Sequence, residues 1–205
     1  MAFSGCKKPF SSSLRLCANI LTLLHSISKL VARLDAKNIN FAVIGGMAMA
    51  LRGVQRATFD LDILLMLSDL PAAHAALEME GYSRFYHSEN VSHYENRNSV
   101  LARVDILHAF RGASLGMLKR AERVSLGATC HLPVLQIEDI IGLKIQALVN
   151  DRARALGDWS DIHRLIAHSA ESKRLVHWDL ISEYLSIFNL ESKLEELKHL
   201  YEDHH

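Results

Sequence analysis

Two aspartates two residues apart, Asp60 and Asp62, sit in an otherwise apolar run that continues through Ile63-Leu64-Leu65. Residues at that spacing on an extended strand project from one face. If Thr58 to Met66 is extended, Thr58, Asp60 and Asp62 point one way and Leu61 and Ile63 the other. Like charges held that close raise each other's pKa unless a cation lies between them, and oxygen-only ligands of this kind suit a hard ion such as Mg²⁺. The alternative is an exposed strand end with two solvated acids; the apolar neighbours favour a buried strand.

Upstream, Phe41-Ala-Val-Ile44 is a short apolar run, and Gly45-Gly46 follows it directly before the helix-compatible Met47-Ala-Met-Ala-Leu51. This reads as a strand, a tight turn and a helix start. Glycines there let the backbone approach a ligand closely, and the free N–H groups of a helix N-terminus favour phosphate. A phosphate cradle and a carboxylate pair at short range together describe a nucleoside triphosphate site.

Downstream, Val100 to Leu107 is a strand candidate with a single acid, Asp105, in apolar company. A buried acid is costly unless paired or metal-bound. Either Asp105 pairs with Arg103 or Arg111, or the sheet brings it beside Asp60 and Asp62 as a third ligand.

The remaining pattern is that of an ordinary globular chain. Among its 205 residues 49% are hydrophobic and 22% charged, with a formal net charge of zero, so no global field favours nucleic acid or acidic membranes. Cys6, Cys17 and Cys130 are an odd number without metal spacing, which fits a reducing compartment. Lys7 and Lys8 precede an apolar-rich run, but Leu16, Ile20, Leu23, Ile27, Leu30 and Leu34 follow helical spacing, which predicts an amphipathic helix ending near Ala36 after a polar tail and a cap at Ser11-Ser12-Ser13. No stretch approaches the roughly 20 apolar residues that span a bilayer.

Ser68-Asp69-Leu70-Pro71 reads as a helix start and Gly81 as its stop, with short strands over Tyr82–Tyr86 and Val91–Tyr94. A helical segment near Ala113–Ala121 and strands near Arg123–Leu126 and His131–Leu135 follow, and Pro133 suits an edge strand. From Gln136 onward the pattern is helical, with segments over 137–149, from 158, over 178–188 and over 190–201. Strands and helices alternate first and helices alone come last, which predicts an α/β or α+β core over residues 13–135 and a helical part over 136–205.

The ordered pieces Gly45-Gly46, Arg56-Ala-Thr58-Phe-Asp60-Leu-Asp62 and a strand with Asp105 resemble the nucleotidyltransferase superfamily of polymerase-β-like fold. The closer resemblance is to the AbiEii toxin family, the toxin half of type IV toxin–antitoxin systems. Its later helical element, a Lys followed by an Arg and two Asp residues, is matched by Lys144, Arg152, Asp158 and Asp161, and the likeness covers roughly residues 28 to 166. Phe59 departs from the polar residue expected between Thr58 and Asp60.

The resemblance implies a mixed sheet flanked by helices and transfer of an NMP from an NTP to an acceptor hydroxyl. Asp60, Asp62 and Asp105 would hold Mg²⁺, as two ions. Gly45, Gly46, Arg56 and Thr58 would meet the triphosphate, and Lys144 would neutralise its charge. Arg152 and Asp158 would lie near the nucleotide, or Asp158 would orient Lys144. On the residues alone, Lys144 could equally be a solvated helix lysine, and Arg152 and Asp158 an interhelical ion pair. The implied acceptor is RNA, such as a tRNA end, the implied partner a cognate antitoxin, and the implied location the cytoplasm. An RNA acceptor asks for a local basic face, with Arg52, Arg56, Arg120, Arg123 and Arg152 as candidates. Competing expectations are transfer to a small molecule, as in aminoglycoside nucleotidyltransferases, and a non-catalytic interaction module that retains the fold.

Overall fold

Phe41-Ala-Val-Ile44 is buried along its whole length inside a seven-stranded mixed sheet. The computed structural model describes residues 12–56, 58–127 and 130–205. The expected polar tail with Cys6 and Ser11, and the side chain of Cys17, lie outside the described residues. The elements run α1 (Ser12–Ala36), β1 (Phe41–Ile44), α2 (Gly45–Leu51), β2 (Leu61–Met66), α3 (Leu70–Met79), β3 (Ser83–His87), β4 (Val91–Glu95), β5 (Arg103–Ala109), α4 (Gly112–Arg120), β6 (Glu122–Leu126), β7 (Cys130–Val134), α5 (Ile137–Asn150), α6 (Ala155–Glu171), α7 (Trp178–Ile187) and α8 (Leu194–His204). This is the expected α/β architecture.

The amphipathic pattern of α1 resolves as foreseen: Leu23, Ile27, Leu30 and Leu34 are buried at three- and four-residue spacing. The helix ends where Asn38 takes a left-handed conformation with φ 53°, which an asparagine tolerates. Glu80, at the end of α3, ties the two helices by pairing with Arg33 and, at 2.7 Å, with Lys29. Asp69 does not cap α3 through its side chain; its Oδ2 accepts the Asn40 N–H at 2.8 Å instead and pins the entry to β1.

The strand order is β3-β4-β5-β2-β1-β7-β6. The β2–β5 and β1–β7 pairs are parallel and the others antiparallel. Two boundaries differ from expectation. The acidic strand begins at Leu61 rather than Thr58, because the ladder to β5 starts at Leu61↔Val104 and the ladder to β1 ends at Ile44↔Asp62. The next acid-bearing strand begins at Arg103 rather than Val100, because a turn closes ahead of it: the Ser99 N–H bonds the Asn96 carbonyl, and the Asn96 N–H bonds that of Ala102.

Pro133 is not on an edge, as β7 lies between β1 and β6. The parallel pairing with β1 has the register Val43↔Val134, one residue past the proline, so the missing N–H is tolerated. α5 then packs against α2, α6 and α7, with Ile137, Ile140, Ile141, Ile145 and Leu148 buried. One contiguous apolar core extends from Leu23 of α1 to Leu197 of α8.

Candidate active site

Asp62 and Asp105 are direct neighbours across the parallel β2–β5 pair. On its other side Asp62 is opposite Ile44, the last residue of β1, immediately before Gly45. Gly45 takes φ +64°, and a Cβ built on it would fall 2.1 Å from Asp62 Oδ2, so the turn into α2 closes directly over the carboxylate. At Gly46 an added Cβ would lie 3.2 Å from the Thr58 side chain, which lets the segment carrying Arg56 and Thr58 pack onto the start of α2. The glycine pair is therefore needed for close approach at both positions.

Asp60 precedes the strand, and the Thr58 hydroxyl donates to its carbonyl at 3.3 Å. A turn rather than ladder alternation thus places Thr58 and Asp60. Asp60 still acts on the site electrostatically: the Asp62 carboxyl is pushed up from 3.8 to about 6, first by burial and then by the negative charges of Asp105 and Asp60, against an opposing pull from Lys144 and Arg154.

Asp105 pairs with neither Arg103 nor Arg111; its Oδ1 lies 2.7 Å from His93 Nδ1, on the facing residue of β4. His93 was not found by sequence reasoning. The available signal was the alternation of Val91, His93 and Glu95 against the buried Ser92 and Tyr94, but the register that sets His93 opposite Asp105 is not written in any local pattern.

Lys144 is buried and not a solvated helix lysine. Its ammonium donates to Asp158 at 2.8 Å and pairs with Asp161 at 2.6 Å. The same two acids bind Arg154, at 3.3 Å from Asp158, and Arg56, at 2.6 Å from Asp161. With Arg164 at 3.9 Å from Asp161, four cations and two buried carboxylates among the described residues thus join Arg56, α5, the Arg152–Arg154 turn and α6. Arg152 stands exposed in a single 3-10 turn, and the ion pair considered for it with Asp158 is not among those formed. The cleft is lined by Arg154 instead.

These groups surround a cleft of about 420 Å³, lined by Gly45, Asp62, His93, Asp105, Lys144 and Arg154 among others. Among the described residues, no three His, Cys, Asp or Glu side chains converge as a ready-made metal cluster. The donor chemistry fits a hard cation all the same: the acids offer only oxygen, and burial together with the charges of Asp105 and Asp60 disfavours an uncompensated Asp62 carboxylate.

The fold has solved counterparts. It matches the solution structure of the antibiotic-resistance factor ANT(2'')-Ia with a TM-score of 0.63 at 16% identity, over 90% of this chain and 99% of that one. The same factor in complex with adenylyl-2''-tobramycin matches at 0.62 and 16% identity, over 82% and 99% of the two chains. An antigenic nucleotidyltransferase-like protein from Paracoccidioides brasiliensis matches at 0.53 and 19% identity, over 88% and 92%. The fold is that of a nucleotidyltransferase. In that fold Asp62 and Asp105 occupy neighbouring strands at the mouth of the cleft. No protein-family model matches the sequence and no curated protein matches it, so the likeness is one of structure.

Proposed function

We propose that this chain catalyses nucleotidyl transfer from an NTP to an acceptor hydroxyl, and the observation that carries the reading is the Asp62–Asp105 register pair beside the Gly45 turn. Asp60, Asp62 and Asp105 would hold Mg²⁺, which when bound supplies charge neutralisation for the triphosphate and lowers the pKa of the acceptor hydroxyl. Gly45, Gly46, Arg56 and Thr58 would border the triphosphate. The acceptor oxygen attacks the α-phosphorus, the bond to the β-phosphate oxygen breaks, pyrophosphate leaves, and Asp105 takes the hydroxyl proton. His93 holds the Asp105 carboxylate in place for that role. Arg154, on the cleft wall, is the cation placed to meet phosphate oxygens, while Lys144 anchors the two acids behind it.

Charge placement supports a small-molecule acceptor. Of the arginines expected to form a basic face, Arg52 is bound to Glu122 and the Val134 and Leu135 carbonyls, Arg120 to Asp139, Arg123 to Asp35, and Arg56 to Asp161. Those four charges are paired within the fold, while Arg152, the fifth, stands exposed on its turn. The second reading is an RNA end as acceptor, as in a toxin restrained by an antitoxin; the RNA acceptor in it is favoured by Phe85 and Tyr86. A β-bulge lets these adjacent, half-exposed rings both lie against His93. Among the described residues no helix is long and apolar enough to cross a membrane.

The test is incubation with Mg²⁺ and each of four labelled NTPs, in the presence of total RNA or of small alcohols, reading pyrophosphate release and the labelled product. Transfer is expected with the native chain and absent from the Asp62→Asn, Asp105→Asn double variant. Transfer that persists in the double variant refutes the site.

A further inference from the structure

A second chamber of about 540 Å³ adjoins the catalytic cleft, and the two share Val91, Leu107, Leu143, Gln146 and Asn150 as walls. It lies among β4, β5, α4, α5 and the end of α7. Leu107 is two residues beyond Asp105 on β5 and so on the same face of the strand, about 7 Å further along. A molecule seated in the chamber can therefore reach Asp105 with a hydroxyl by extending over Leu107.

The lining determines what such a molecule can be. Phe110, Met117, Tyr184, Ile187 and Phe188 supply apolar and aromatic surface. The polar groups are mostly neutral: the amides of Asn90, Gln146 and Asn150 and the Ser114 hydroxyl. His108 is already engaged on both nitrogens, by Ser92 at 3.0 Å and the Glu89 carbonyl at 2.8 Å. Among the described residues of the lining the single cation is Arg111, whose guanidinium lies over the Phe110 ring.

None of the described residues lining the chamber is a carboxylate. The acid behind it, Asp139, is fully buried and consumed by Arg120 at 2.7 Å and the Tyr184 hydroxyl at 2.6 Å. A polycationic amine seated here would lose its hydration without meeting a carboxylate on the chamber wall among the described residues. A ring-bearing neutral molecule would gain aromatic contact and amide hydrogen bonds, and the volume lies within the range of small-molecule sites.

We infer that this second chamber is the acceptor subsite and that it takes an uncharged, ring-bearing alcohol rather than a polycation. The inference rests on the nucleotidyl-transfer reading, and the experiment separates the two. The full chain is first assayed by thermal shift with each of the four NTPs and Mg²⁺. With the NTP that stabilises it most, pyrophosphate release is then measured in the presence of the four ribonucleosides, chloramphenicol or myo-inositol as uncharged probes, tobramycin as the polycation, or total RNA.

The expected result is at least about tenfold stimulation by one or more uncharged probes and none by tobramycin. Phe188→Ala, or Ile187→Ala at a half-exposed position that leaves the core intact, is expected to raise KM for that probe about tenfold, the scale of a lost aromatic or apolar contact, with KM for the NTP unchanged. Stimulation by tobramycin, or by RNA alone, overturns the inference. So does stabilisation by an NTP without stimulation by any uncharged probe, an outcome that leaves the nucleotide site standing. If no NTP stabilises the chain, the nucleotidyl-transfer reading fails and the subsite assignment with it.

Discussion

Asp62 and Asp105 stand side by side on parallel strands, and burial first, then the negative charges of Asp105 and Asp60, push the Asp62 carboxyl up to about 6. The folded state holds this proton more tightly than the unfolded chain does. The group's contribution to stability is therefore full below pH 3.8, falls as pH rises, and levels off above about 6. The interval corresponds to at most about 3 kcal/mol. Urea unfolding between pH 4 and pH 7 is expected to show this loss, and Asp62→Asn to remove most of it. Mg²⁺ is expected to stabilise the native protein more at pH 7 than at pH 4.5; equal stabilisation at both would speak against binding at these carboxylates.

Gly45→Ala forces a side chain into a left-handed residue and onto Asp62 Oδ2. The backbone term alone costs about 1–2 kcal/mol, and relief of the overlap moves the Asp62 carboxylate. The expected outcome is a lower Tm together with a fall in kcat of about a hundredfold, the scale on which misplaced reacting groups lose rate. Gly46→Ala, whose added carbon meets the Thr58 side chain at 3.2 Å and the Arg56 side chain at 3.4 Å and needs no left-handed backbone, is expected to do less on both measures.

Lys144→Met leaves the buried Asp158 and Asp161 without their shared ammonium. Removing one partner of a buried pair destabilises by about 3–5 kcal/mol, and chemical denaturation should read a loss of that order. Arg152→Ala, on an exposed turn, is expected to change stability by less than about 0.5 kcal/mol. Arg154→Ala is expected to raise KM for the NTP about tenfold, as befits a lost charge-assisted phosphate contact.

His93→Gln is expected to lower kcat about 10–100-fold, the range for a group that orients a ligating carboxylate, with little change in Tm because the residue is partly exposed. If kcat is unchanged, His93 has no part in positioning Asp105.

Much of the molecule was legible locally. Phe41–Ile44 had to be a strand, the 16–34 stripe a helix, and Gly45-Gly46 a close turn, because side-chain period and backbone freedom are properties of neighbouring residues. The proximity of Asp105 to the acid pair was anticipated from the cost of burying a lone carboxylate. Arg154 was not, because Arg152 and Arg154 differ only in where a short turn points them.

By itself, then, the sequence determined the run of strands and helices, the glycine turn, and that Asp62 and Asp105 each lie on a strand. The tertiary structure alone decided that Asp62 and Asp105 share a register, that His93 rather than an arginine holds Asp105, and that Lys144 faces inward to two aspartates. It also decided that a chamber without lining carboxylates, among the described residues, opens beside the cleft that holds Asp62 and Asp105. The physical reason is that local pattern sets which face a side chain takes, whereas its partner across a sheet or between helices is set by packing the whole core at once.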